Sequence, residues 1–210
     1  MEVHAPEGPI LSRRHLVIQL ATITAGVLIA LAFDGVTGWL HHRALVREAR
    51  ANMLSEIADN KKELDGVLGK IPESEQNLKQ VLAFVSDVLA RKKTDIHSLS
   101  LVYVMAQLPS TSRSTAESTG ALGYMDYAEV KKYAAVYEIQ QKFLRVQDRL
   151  LEVWIPLLNA TQFGDPEQAS ERDLLQWREG VLTCLSYLQT EASLGKSLSA
   201  EYDKVLTAAH

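Results

Sequence analysis

The sequence predicts an all-α protein: one N-terminal transmembrane helix running into a helical bundle with long antiparallel helices. Three observations carry this. The run Leu16–Phe33, LVIQLATITAGVLIALAF, is eighteen residues long and uncharged; about 20 residues at roughly 1.5 Å rise cross a hydrocarbon core of about 30 Å. Beyond it, apolar residues recur at the three-, four- and seven-residue spacings of helices packed side by side. Helix starts are marked by acidic caps and first-turn prolines.

Composition sets the limits. Of 210 residues, 47% are hydrophobic and 23% charged, which describes a chain able to fold. Three segments follow: a tail over 1–15, the transmembrane helix over 16–40, and a helical bundle domain over 41–210. The formal net charge of −4 gives a nucleic-acid partner no electrostatic support. The single cysteine, Cys184, permits no intrachain disulfide and sits among apolar helical positions, as a small core residue would.

The tail, MEVHAPEGPILSRRH, has two prolines and no periodicity, and reads as disordered. Arg13 and Arg14 close it directly before the apolar run, as a cytoplasmic flank would. Ser12-Arg13-Arg14-His15-Leu16 also resembles a twin-arginine export signal, for which Ala30-Leu31-Ala32 would be the cleavage site. The apolar run is long for a signal peptide and its helical pattern continues past that point, which favours a retained anchor.

Within the span, Thr22, Gly26, Ala30, Asp34 and Gly38 recur every fourth residue and lie in one row. Small residues let helices approach closely in lipid, so this row is the candidate contact with a second copy or another membrane subunit. Asp34 and Trp39 suit the far interface. Arg43, Arg47 and Arg50 flank that side, so arginine asymmetry leans only slightly toward a tail inside and a large domain outside.

No proline or turn cluster separates Trp39 from Ile71, so the span is expected to continue as one helix. Val46, Met53, Asn60 and Val67 recur every seven residues, with Ile57, Leu64 and Ile71 between them, a heptad-like seam. Asn60 on that seam either fixes register or lies solvated at the stripe's edge. His41 and His42 point about 100° apart as helix neighbours, which does not suit a metal pair.

Residues 72–89 read as a helix with Pro72 in its first turn and an apolar stripe of Leu78, Val81, Leu82, Val85, Val88 and Leu89. Arg91, Lys92 and Lys93 complement the helix's negative end. Thr94-Asp95 can cap a further short helix over Leu99–Met105, chosen over a strand because no partner strands appear elsewhere. Seven of the ten residues from Ser110 to Thr119 are Ser or Thr. There Ser114-x-x-Glu117 fits a capping box and Gly120 a helix stop. Arg113, Ser114 and Thr115 are the candidate ligand pocket, built from a cation, hydroxyls and helix N–H groups.

Asp126-x-x-Glu129 starts a long helix over 125–160, with Gln140, Gln141, Gln147 and Asp148 interrupting its wide apolar face and Pro156 expected to bend or end it. Asp165-Pro166-Glu167 starts the last helix. Its stripe runs through Leu174, Trp177, Val181, Leu185 and Leu188, then Ala192, Gly195, Leu198, Tyr202 and Val205, keeping phase across Gly195.

Ala30-Leu31-Ala32-Phe33-Asp34 running into Trp39, then His41-His42-Arg43, Arg47-Glu48-Ala49-Arg50 and Glu56-Ile57-Ala58-Asp59-Asn60, resembles a group of uncharacterised bacterial membrane-anchored proteins. Ser114 to Leu122 followed by Tyr133–Tyr137 resembles the same group. The motifs cover most of residues 16–150 and none is chemical. The group carries no assigned activity. The resemblance therefore implies architecture and location alone, a single-pass protein of the bacterial inner membrane; that the large domain lies in the periplasm is the slight lean of the arginine flanks.

For function, the histidines make no metal motif, and no nucleophile elbow, dinucleotide fingerprint or phosphate loop is present. The expectation is a non-enzymatic, membrane-anchored interaction, scaffold or accessory protein that needs no cofactor or metal. Its partners would be membrane lipid and itself or another membrane subunit. The alternative is a ligand-sensing bundle at the membrane surface.

Overall fold

Five α-helices and one 3₁₀ turn make up the regular structure of the described residues: α1 Arg13–Leu68, α2 Ile71–Leu89, α3 Thr111–Ser118, the 3₁₀ turn Ala121–Tyr124, α4 Tyr127–Phe163 and α5 Glu171–Thr207. The computed structural model describes residues 13–93, 99–163 and 169–208. The tail up to residue 12, the Thr94-Asp95 cap and the Asp165-Pro166-Glu167 start lie outside the described residues. The described part of α5 begins with Ser170, whose Oγ accepts from the Asp173 amide at 3.2 Å, and its first turn carries Glu171 and Asp173. The chain divides into two compact units, residues 1–48 and 49–210.

In the first unit the described residues are all helix. The apolar window has a mean hydropathy of 2.3 and none of it is buried. Arg43 sets its guanidinium 5.2 Å from the centre of the Trp39 ring, so this aromatic ends the run beside a cation.

The second unit is a bundle whose core is written in heptads. On α1 and α2, Met53, Asn60, Val67, Ser74 and Val81 are buried at every seventh place, and so are Ile57, Leu64, Ile71, Leu78 and Val85. The turn at Gly69-Lys70 separates the two helices without shifting that phase. On α4 the same count runs through Tyr133, Gln140, Gln147 and Trp154, and through Val136, Phe143, Leu150 and Leu157. On α5 it runs through Leu174, Val181, Leu188, Gly195 and Tyr202, and through Cys184, Glu191, Leu198 and Val205.

Contacts fix the directions. Arg50 meets Glu129, Tyr137 meets Glu56 and Asn60 meets Gln140, so α1 and α4 run parallel. Ser199 meets Asp65, and Gly195 abuts Leu68 and Phe143, so α5 runs antiparallel to both. A parallel pair needs the chain to travel back between them, and residues 99–110 do so without helical structure. The helix expected over Leu99–Met105 is therefore replaced by an extended strap. Distance explains the choice. From Val102, beside Ser74, to Ser112, beside Glu56, the strap must cover about 27 Å, the length of the α1–α2 stretch alongside it. Its roughly ten residues reach about 33 Å when extended, but only about 15 Å as a helix.

Two other local expectations are revised. α3 begins at Thr111, so Ser114 lies inside the helix and caps nothing; its Oγ instead donates to the Ser110 carbonyl at 3.1 Å. α4 passes through Pro156 and continues to Phe163, so Pro156 does not end the helix. The carbonyl that loses its partner there belongs to Glu152, on the exposed side with Pro156, while Trp154 and Leu157 hold the inner face in the core. Asp126 caps α4 as expected, its Oδ1 accepting from the Ala128 amide at 2.9 Å, and Gly120 ends the α3 segment in the left-handed region at φ 74°.

Candidate functional site

Buried polar side chains converge on the strap. Among the described residues they are Glu56, Asn60, Ser74, Gln140, Gln147 and Glu191, and each bonds to a residue between Val102 and Ser112. An extended segment carries unpaired N–H and C=O groups that must be satisfied when buried. Among the described residues no strand supplies partners here; side chains on the helices do, most of the bonds made by amides. Gln147 accepts from the Ala106 amide through Oε1 at 2.8 Å and donates from Nε2 to the Ala106 carbonyl at 3.0 Å. That is the two-bond exchange of an antiparallel strand pair, made by one side chain.

Gln140 is the junction of the layer. Its Nε2 donates to the carbonyls of Leu108 and Pro109 at 2.8 and 3.1 Å. Its Oε1 accepts from Tyr202 Oη at 2.8 Å and Asn60 Nδ2 at 3.3 Å. Asn60 also donates to the Pro109 carbonyl at 2.8 Å, so this seam residue is fully engaged inside its own bundle. Burial pushes the Tyr202 hydroxyl well above its ordinary value.

At the strap's end, Glu56 accepts from Tyr137 Oη at 2.6 Å and from the Ser112 amide at 2.8 Å. Arg113 lies 5.7 Å from the centre of the Tyr137 ring. Burial, then the bond to Glu56, raises the Tyr137 hydroxyl. Ser114 and Thr115 are exposed, and the Thr115 carbonyl accepts from Thr119 Oγ1 at 2.8 Å. A small groove nearby is lined by Asn52, Glu56, Asp59, Asn60, Pro109 and Ser112, and not by Arg113, Ser114 or Thr115. The structure thus brings Arg113 to the Tyr137 ring and leaves Ser114 and Thr115 exposed.

The bundle-seam residues Met53, Ile57, Asn60 and Leu64 meet in the core of the second unit; Val46, in the first, is half-exposed. In the apolar part of α1, Thr22, Gly26, Ala30 and Asp34 are exposed and Gly38 is half-exposed. Thr22 Oγ1 donates to the Ile18 carbonyl at 2.9 Å, which hides its polarity within the helix. Gly26 and Gly38 have open space where a side chain would stand.

Glu191 is the residue that sequence reasoning passed over. It is fully buried, with Tyr103 Oη donating to its Oε1 at 2.9 Å and no partner on Oε2. The signal was present: Cys184, Glu191, Leu198 and Val205 are spaced by seven, which puts a carboxyl on a core position. Burial raises Glu191 to about 7, the Tyr103 bond acting against it, and raises the Cys184 thiol to about 11. Among the described residues no three His, Cys, Asp or Glu side chains gather as metal ligands would.

No protein-family model matches the chain, and no curated protein or solved structure is significantly similar to it.

Proposed function

We propose that this protein is a membrane-anchored helical interaction protein, a scaffold or accessory subunit without catalytic activity of its own, held by one span in a bacterial inner membrane with its bundle in the periplasm. One observation carries the reading. Leu16, Val17, Ile18, Leu20, Ile23, Val27, Leu28, Ile29, Leu31 and Phe33 are each more than half exposed, so apolar side chains surround the helix on every side. A contiguous apolar surface of that extent is not kept in water, and lipid is the solvent that suits it.

The surface offered for association is the row from Thr22 to Gly38, since the heptad seam beyond it faces the chain's own bundle. Close approach there would be with a second copy or another membrane subunit.

The test is fractionation of cells producing the full chain with a C-terminal tag. The expected result is an uncleaved protein that stays in membranes through alkaline carbonate and leaves them in detergent, with the tag protected until the outer membrane is opened. An intact chain found free in the soluble fraction refutes the anchor. For the association surface, Gly26→Cys should form cross-linked species in membranes, and Gly26→Leu should weaken assembly in detergent. Unchanged monomer in both refutes that part alone.

A further inference from the structure

The strap is held against α1, α2 and α4 by uncharged amides and hydroxyls and by the exposed Glu63, whose Oε1 accepts from the Gln107 amide at 3.4 Å; just past its end Glu56 accepts from the Ser112 amide and Tyr137 Oη. Its attachment to α5 is different in kind. Glu191 Oε1 takes the Tyr103 hydroxyl, while Oε2 faces the core with no donor. Tyr103 in turn packs its ring 5.2 Å from that of Trp154 on α4.

The charged and titratable groups around this carboxyl are few. The strap contributes Tyr103. From α4, the Asp148 charge bears on that same tyrosine and raises it further. From α2, the residue at this level is Ser74, which donates to the carbonyl of Val102, next to Tyr103, and carries no charge. On α5 itself Tyr187 lies one turn earlier. Among the described residues no cation pairs with Glu191.

We propose that Glu191 and Tyr103 form a proton-dependent latch: the protonated carboxyl keeps the strap closed on α5, and its ionisation releases Tyr103 and the strap around it. As an acid, Glu191 can donate from Oε1 to the tyrosine oxygen and leave a neutral carbonyl oxygen toward the apolar wall. As an anion it keeps the Tyr103 hydrogen bond on Oε1, which favours that form, but its buried Oε2 is charged with no donor; burial outweighs the bond, and the nearest relief is water admitted by lifting the strap. The value of about 7 in the closed form lies above the 4.5 of an exposed glutamate. The stabilisation is therefore complete below the lower value and is lost as pH rises through the higher one. Between pH 5.5 and 8.5 the open fraction of the strap should grow about thirty-fold.

The experiment is amide hydrogen exchange by mass spectrometry on the full chain in detergent micelles at those two pH values, each rate divided by its intrinsic chemical rate. Peptides over residues 99–108 report the strap, and peptides over residues 53–67 serve as the internal reference. The expected result is strap protection that falls about thirty-fold at the higher pH over an unchanged reference. Glu191→Gln, which cannot ionise, should show equal protection at both. Wild-type protection that does not move with pH overturns the latch. So does a fall shared by the reference, which is global loosening, and so does a Glu191→Gln variant that keeps the wild-type pH dependence. Should the variant fail to fold, the wild-type comparison of strap against reference decides by itself.

Discussion

Replacing Gln147 by leucine removes both hydrogen bonds to Ala106 while filling a similar space. Ala106 and Gln147 are each 2% exposed, so water does not take over. Two backbone groups are left unsatisfied, each at about 1–3 kcal/mol. The leucine regains about 1–2 kcal/mol of apolar burial, so the net loss should be about 1–4 kcal/mol. That is a large part of the 5–15 kcal/mol by which a domain of this kind is typically stable (about that range). The assay is urea unfolding of the full chain in a fixed detergent, followed by tryptophan fluorescence. Gln141→Leu is the matched control: one residue past Gln140 and exposed, it should shift stability by less than about 0.5 kcal/mol. If Gln147→Leu fell within that same margin at an unchanged denaturant slope, the strap's backbone would not depend on side-chain amides, and the account of the polar layer would be wrong.

Two further outcomes follow from backbone geometry and packing. Arg91 stands at φ 55° just after α2, with its amide bonded to the Val88 carbonyl and the Lys92 amide to that of Asp87. This is a Schellman stop carried by a residue with a Cβ, so Arg91→Gly should stabilise by about 1 kcal/mol, read as a rise in thermal midpoint. A Cβ on Gly195 would stand 2.6 Å from Leu68 Cδ2 and 3.2 Å from the buried Phe143 ring. Gly195→Val should cost about 1–3 kcal/mol by overpacking, seen in the same urea titration, even though valine suits a helix slightly better than glycine.

Much of the helical framework was legible. The sevenfold recurrence of Met53, Asn60 and Val67 carries straight on through Ser74 and Val81. Asp126 and Gly120 act at the helix ends where their chemistry suits them. Cys184 is the small core residue its neighbours imply. The strap was hidden because an extended run is recognised by the strands it pairs with, and here the pairing partners are glutamines and an asparagine on helices. Its own signals are local: β-branched Val102 and Val104 around Tyr103, and burial alternating over Ala106, Gln107, Leu108 and Pro109. The glutamines of α4 read as interruptions of an apolar face. Phase separates them: Gln140 and Gln147 are seven apart and buried, while Gln141 and Asp148 are exposed. Arg113 carried no such clue, since its contact with Tyr137 is long-range.

The polar layer also dictates an order of assembly. Emerging from a ribosome, the chain presents Glu56, Asn60 and Ser74 first, then the backbone they hold, then Gln140 and Gln147, and only near the end Glu191 and Tyr202. Until that last helix arrives, Gln140 lacks the Tyr202 donor and Tyr103 lacks its acceptor, so the nascent domain waits with a half-formed interior. Bonds that span up to 88 residues of chain make such closure slow and all-or-none. A chain interrupted before Glu191 should leave an unsealed intermediate, its unpaired polar groups open to water and to proteolysis.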